Sequence, residues 1–260
     1  MSPYLTLIIQ GIILPIGVSG LLLWLGPTRD GYRVAGNALA WLLAYGWITG
    51  FPAIPPKEAV DWLWLLLVAS YAVCHITQHH ARWLPLTLIL AGTLTAVVWP
   101  VLYYQPSAAV AGELVILVIA GSFLFRRAEQ AVSVAPAFTL SINAGGLAIA
   151  SALGGSLLVG QLLTALAAVT GVYALAEIAS RLHRTPFSTQ QVLVFLPLYL
   201  ALLGIARVYA ELPLASAALL LASPVIGIRV RWRHSWLISL ILSAGAVGLL
   251  LLNGDNTAYY

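Results

Sequence analysis

Residues 135–180 read APAFTLSINAGGLAIASALGGSLLVGQLLTALAAVTGVYALAEIAS, with Glu177 as the one charged side chain in the stretch. As a single helix this segment would be about 69 Å long, more than twice the roughly 30 Å hydrocarbon thickness of a bilayer. It must therefore fold back on itself. Gly154-Gly155-Ser156 is the natural turn, because glycine reaches the backbone angles that a tight reversal needs. Two apolar helices follow from this one segment, and the rest of the chain can be divided by the same rule.

The whole chain shares this character. Of its 260 residues 61% are apolar and 8% charged, and the mean hydropathy is +0.97. A soluble domain carries about 25% charged residues, so a water-facing surface cannot be built over this length. The expected fold is an all-α polytopic membrane protein with almost no soluble part. Strands are not expected, since the apolar runs are continuous and do not alternate. Ten spans are read, at 4–25, 34–51, 61–78, 84–104, 109–125, 136–154, 158–179, 190–208, 213–228 and 235–252. Met1 to Tyr4 hold no Lys or Arg, so the first apolar segment reads as a permanent helix and not a cleaved leader.

The loop charges agree with ten spans. Arg29 and Arg33 fall in loop one, Arg82 in loop three, Arg126 and Arg127 in loop five. Arg181 and Arg184 fall in loop seven, and Arg229, Arg231 and Arg233 in loop nine. The even loops hold Lys57, and Arg207 ends helix eight on that same side. Positive loops stay cytoplasmic. The expected placement is therefore a multi-pass protein of the cell (inner) membrane, with Arg-rich loops inside and both termini outside. Trp24, Trp62, Trp64, Trp83, Trp99, Trp232 and Trp236 lie near span ends, where amphipathic rings favour the interface. The short basic loops do not suggest nucleic acid; the bilayer is the first partner.

Ten helices divide into two five-helix halves, 1–127 and 128–260. Five is odd, so the second half would run through the membrane with inverted orientation, as in many secondary transporters. Helix four carries Pro85 and Pro100, and helix nine carries Pro213 and Pro224. Pro85 and Pro213 fall in first turns, where proline is harmless. Pro100 and Pro224 remove a backbone donor inside apolar helices, and lipid cannot satisfy the carbonyl left free. Paired interruptions of this kind point to a transport site. Ten helices, outward termini and prolines in helices four and nine together resemble the architecture of auxin-efflux-type carriers, with no sequence motif of that family present.

Ionisable groups within the membrane are costly and are candidates for function. Arg207–Glu211 and Glu177–Arg181 have the four-residue spacing of local helix-surface pairs. Glu113 has no such neighbour, and would meet Arg207 across helices or act as an outward-facing proton or cation site. The uncharged polar groups Gln10, Ser70, Tyr71, Thr93, Thr95, Asn143 and Tyr199 either join helices singly or together line a cavity for a neutral or amphipathic solute. The expected substrate-binding set is Pro100, Pro224, Asn143, Tyr71, Glu113 and Arg207. Gly146, Ala150 and Gly154 form a small-residue seam on helix six, either internal or facing a homodimer mate or a larger membrane complex.

Residues 74–82 read CHITQHHAR. His75 and His79 share a helix face and are weak metal candidates, but no carboxylate lies in the stretch. All five histidines fall on the Arg-rich side, so an interfacial polar collar is the reading taken, and no metal or cofactor is expected. Gly17-Val18-Ser19-Gly20 matches the short string of intramembrane serine proteases, but no interior histidine suits it, and Ser19 reads as a packing residue. No nucleotide or zinc motif appears, so the chain is not read as an enzyme. The expected function is a permease or flippase-like carrier of a small neutral or amphipathic solute, with its site between the two halves. The alternatives are a non-catalytic or assembly subunit of a larger membrane complex and, below it, a haem- or quinone-linked redox subunit.

Overall fold

The computed structural model describes residues 7–25, 30–77, 82–104, 106–129, 135–179, 189–229 and 235–254. Among them the chain forms ten helices and no strand. Helix α1 is Ile9–Leu25, its first turns π-helical at Ile9–Ile13. Then come α2 (Asp30–Thr49), α3 (Trp62–Ile76, led by a 3-10 turn at Ala59–Asp61), α4 (Trp83–Tyr104) and α5 (Ala108–Ala128). The second half holds α6 (Ala135–Leu153), α7 (Leu157–Ala179), α8 (Thr189–Tyr209), α9 (Leu214–Arg229) and α10 (Ser235–Gly254). Five of these, α3, α4, α5, α7 and α8, are long and apolar enough to cross a membrane. Four shorter apolar helices, α1, α6, α9 and α10, accompany them. This is the pattern of a helical membrane protein.

The reversal at 154–156 is a glycine-ended helix stop. Gly155 sits at φ +90, the Gly155 amide donates to the Ala152 carbonyl at 3.3 Å, and the Ser156 amide donates to Ser151 at 2.9 Å. Those two bonds satisfy carbonyls that α6 would otherwise leave open at its end. Ser156 then accepts the Val159 amide at 3.4 Å and so starts α7. The turn sets the reversal, and the Ser141 hydroxyl, donating to the Ala167 carbonyl at 2.9 Å, ties α6 to α7 along their length.

Most helix limits lie within a few residues of those expected. Helix α2 starts at Asp30, four residues before the expected 34, so Arg33 is helical and not in a loop. Its carbonyl accepts the Tyr173 hydroxyl of α7 at 3.1 Å. Helix α5 likewise runs on through Arg126 and Arg127, and the Arg127 guanidinium lies 5.3 Å from the centre of the Phe123 ring. Arg82 is buried, its Nε donating to the Thr77 carbonyl at 2.8 Å at the end of α3. Next to it, Glu129 accepts the Trp83 amide at 3.0 Å and caps α4. Arg29, Arg181, Arg184, Arg231, Arg233 and four of the histidines lie outside the described residues, and the Glu177 and Arg229 side chains do as well.

Helix α8 is the axis of the bundle. Residues 191–206 are buried without a break, as expected of a helix apolar on all sides and enclosed by protein. Around it stand α2, α3, α4, α5, α9, α6 and α7, each in contact with α8 and with its neighbours in that ring. Helix α1 lies outside, against α2 and α7, and α10 lies outside, against α6 and α9. In that ring α2–α5 of residues 1–127 form one arc and α9, α6 and α7 of residues 128–260 the other, with α8 between the arcs and touching both. The outward faces are apolar, with Val115, Ile116, Ile119 and Phe123 of α5 and Trp24, Trp47 and Trp99 all exposed. Such a surface suits lipid.

The small-residue seam of α6 is turned inward. A Cβ on Gly146 would lie 2.6 Å from Cβ of Ser243 on α10, and one on Gly154 would drive into the Ala210 carbonyl. Ala150, between them, is buried. The three residues let α10 and the α8–α9 connection approach α6 closely, so this face is occupied within the chain.

Candidate functional site

Three helix ends build the site. Helix α5 begins at a Ser107 cap, whose Oγ accepts the Val110 amide at 3.4 Å, and this sets Glu113 in the second turn. Helix α8 closes at Tyr209, with the Ala210 amide on the Ala206 carbonyl at 3.0 Å, and Arg207 stands in its last turn. Helix α9 opens after Pro213, whose carbonyl accepts the Ala217 amide at 3.0 Å. Pro213 has no donor to lose there.

Glu113 and Arg207 meet across α5 and α8, with Nη2 to Oε1 at 2.9 Å. The side chains are 19% and 30% exposed, so the pair is neither free nor sealed. It closes the head of a crevice of about 170 Å³ lined by Ile116 and Leu117 of α5, Leu203 of α8, and Leu214, Ala217, Ala218 and Leu221 of α9. The accessible lining is hydrocarbon throughout: Glu113 and Arg207 lend it only carbon, and their charged atoms present no surface to it. The Arg207 Nε is buried and has no hydrogen-bond partner among the described residues.

The local pair Arg207–Glu211 does not form. Helix α8 has ended before Glu211, which lies exposed at φ +49, outside helical geometry. The four-residue spacing therefore has no helix to act through. The pair Glu177–Arg181 lies outside the described side chains.

The two helix-breaking prolines are each found beside a tyrosine of α8. Pro224 is buried in α9 and deprives the Leu220 carbonyl of its donor. Tyr199 supplies one, its hydroxyl donating to the Leu220 carbonyl at 2.8 Å from a fully buried position. Pro100 lies exposed in α4 and removes the donor to Ala96. The next carbonyl, Val97, accepts the Tyr209 hydroxyl at 2.7 Å. Helix α8 contains a third interior proline, Pro197, that the pairing of helices four and nine did not anticipate.

The other expected site residues are not gathered at the crevice. Asn143 is buried on α6, where its Oδ1 accepts the Ser243 hydroxyl of α10 at 2.9 Å. Tyr71 stacks on His75 with ring centres 6.0 Å apart. Gln10 donates to the Trp47 carbonyl at 3.4 Å, Ser70 is buried, Thr93 is buried and Thr95 is exposed on α4. None of these residues is among those that line the crevice. His75 is exposed in the last turn of α3 beside buried Cys74, and His79 lies outside the described residues. Among the described residues no group of three or more His, Cys, Asp or Glu is placed to hold a metal.

One polar cluster escaped the sequence reading. Asp61 is buried at the head of α3 and accepts the Lys57 amide at 3.0 Å, the Glu58 amide at 3.1 Å and the Tyr45 hydroxyl at 3.4 Å. Trp41 stacks on Tyr45 and donates to the Leu162 carbonyl of α7 at 3.3 Å. The carboxylate folds the 57–61 turn and ties α2 to α3. An acid just ahead of an apolar run is a helix-start signal; Asp61 makes no side-chain cap bond to α3 itself and serves as the acid of a capping box on the 3-10 turn, taking the Glu58 amide.

No protein family matches the chain, and no curated protein is similar to it in sequence. Function must be argued from the geometry.

Proposed function

We propose that the chain is a multi-pass membrane carrier, flippase-like, that moves a small amphipathic solute bound between residues 1–127 and 128–260. The observation that carries this reading is the half-buried Glu113–Arg207 pair at the head of an apolar crevice. Glu113 belongs to the first half and Arg207 to the second. Charged groups are costly at membrane depth and mark pathways or sites. A polar head with a hydrocarbon slot below it fits a molecule with both kinds of surface. The proline-interrupted helices α4 and α9 are able to bend, as is α8 at Pro197, and α4 and α9 are each tied to α8 by a tyrosine hydroxyl. The odd-loop arginines support an orientation in the cell (inner) membrane with those loops cytoplasmic and both termini outside.

The test uses the single native cysteine. In a Cys74→Ala background, Val98→Cys and Ser223→Cys place thiols beside Pro100 and Pro224 at positions buried in this structure. In a working carrier both react with a membrane-impermeant maleimide, and the side of reaction reports the orientation. If neither position reacts from either side in sealed vesicles, the carrier reading is lost.

A second reading, a non-catalytic subunit of a larger membrane complex, is favoured by a different surface. An apolar lateral groove of about 420 Å³ lies between α1, α6 and α7, with Gly145, Ala148, Ala152 and Gly160 among its lining residues. Gly145 and Ala152, which are open there, would let a partner helix approach closely, while Ala148 and Gly160 already pack α6 on α7. Stoichiometric partners after gentle purification from the native membrane would favour this reading, and a lone chain or homodimer the first.

A further inference from the structure

We infer that the α5–α8–α9 crevice is a lateral lipid site, which takes the head-proximal half of one acyl chain of a zwitterionic phospholipid and sets its headgroup charges against Glu113 and Arg207. This rests on the membrane placement above, and it names the amphiphile that the carrier reading leaves open.

Three observations lead to it. The first is direction. From the ion pair the lining advances along all three helices toward the middle of the bundle: Glu113 to Ile116 and Leu117, Arg207 back to Leu203, Leu214 on to Leu221. From Leu214 to Leu221 the slot runs about 10 Å parallel to the helix axes. A lipid lies this way in one leaflet, its head near the helix ends and its chain inward.

The second is access. Ile116 and Leu214, both in the lining, are each 59% exposed on the outer face of the bundle, and Ala218 beside them is exposed too. The crevice therefore opens sideways, between α5 and α9, onto the surface that suits hydrocarbon. A solute from water would have to cross that surface, whereas a lipid is already in it.

The third is charge. The head of the slot carries one cation and one anion held by a single hydrogen bond of 2.9 Å. The guanidinium has donors beyond the one on Glu113, and its planar fork matches a phosphate. Glu113 would accept from an ammonium. An anionic head would gain Arg207 but meet Glu113, and an uncharged head would leave the pair bonded to itself and gain neither charge. A phosphate with an ammonium answers both.

Native mass spectrometry of the purified full chain tests this with three added lipids of equal chain length: phosphatidylethanolamine, phosphatidylglycerol and diacylglycerol. The expected result is retention of phosphatidylethanolamine about tenfold more tightly than the other two. Glu113→Gln should erase the preference over phosphatidylglycerol, and Arg207→Gln should weaken both phospholipids. Ala218→Phe changes an exposed position, so folding is spared, and the ring should fill the slot and release the lipid. Equal retention of the three lipids, or unchanged phosphatidylethanolamine binding in Ala218→Phe, overturns the inference. The two readings fail separately. Lipid binding without thiol reaction at positions 98 and 223 leaves a structural lipid site and removes the carrier. Thiol reaction without lipid preference keeps the carrier and removes this occupant.

Discussion

Glu211 stands where the residue type and the backbone disagree. Its φ of +49 is left-handed, and a side chain there costs roughly 1–2 kcal/mol relative to glycine. The position follows the end of α8 and turns the chain into α9, so the conformation is imposed by the packing of two helices. Replacing Glu211 by Gly should raise stability by about 0.5 kcal/mol, since glycine's greater unfolded-state freedom offsets part of the relief. Reversible unfolding in detergent would measure it, and a loss of stability would show that Glu211 makes a compensating contact. The same residue shows how spacing misleads. Arg207 and Glu211 are four apart, but a helix must continue through both for that to matter. Arg207 instead meets Glu113, 94 residues away in sequence.

At the scale of elements, the bond between Tyr199 and Leu220 makes a sharp prediction. In an apolar core a carbonyl without a donor is destabilising by about 1–3 kcal/mol, though hydrogen bonds between membrane helices average nearer 0.6 kcal/mol. Tyr199→Phe should therefore cost about 1 kcal/mol with Pro224 in place. In a Pro224→Ala background residue 224 regains an amide that can serve Leu220, and the same Tyr199→Phe change should cost clearly less. A double-mutant cycle on unfolding free energy measures the coupling. Additive effects would mean that the tyrosine does not replace the donor the proline removes. The prolines were legible in the sequence, because proline chemistry is local. Their partners were not: Tyr199 read as one of several uncharged polar groups within the membrane, Tyr209 drew no reading at all, and nothing in the chain states which carbonyl either one faces.

At the scale of the molecule, the bundle is a ring of helices around α8, and the cost of a truncation should follow that plan. Phe195 on α8 is fully buried, and Phe195→Ala should cost about 3–5 kcal/mol through lost contacts and the cavity left behind. Ile119 on α5 is exposed on the outer face, and Ile119→Ala should cost less than about 1 kcal/mol in detergent or bilayer, where hydrocarbon replaces what is removed. Thermal unfolding of the two variants in one detergent compares them directly. Similar losses would contradict α8 as the axis.

Sequence by itself determined the helices. A backbone in hydrocarbon must close its hydrogen bonds within each segment, so length, apolar runs and turn residues such as Gly155 fix where helices begin and end. It also located the groups that could matter, Glu113 and Arg207 among them. Only the tertiary structure decided which apolar helix is enclosed and which faces outward. Helices α5 and α8 are alike in length and apolar character, yet most of α8 is buried and most of α5 is not. Lipid and protein interior are both apolar, so composition cannot tell them apart. The choice falls to packing, to the close approach that Gly146 and Gly154 allow, and to a few polar bonds across long stretches of chain. The crevice beneath Glu113 and Arg207 exists because of that choice.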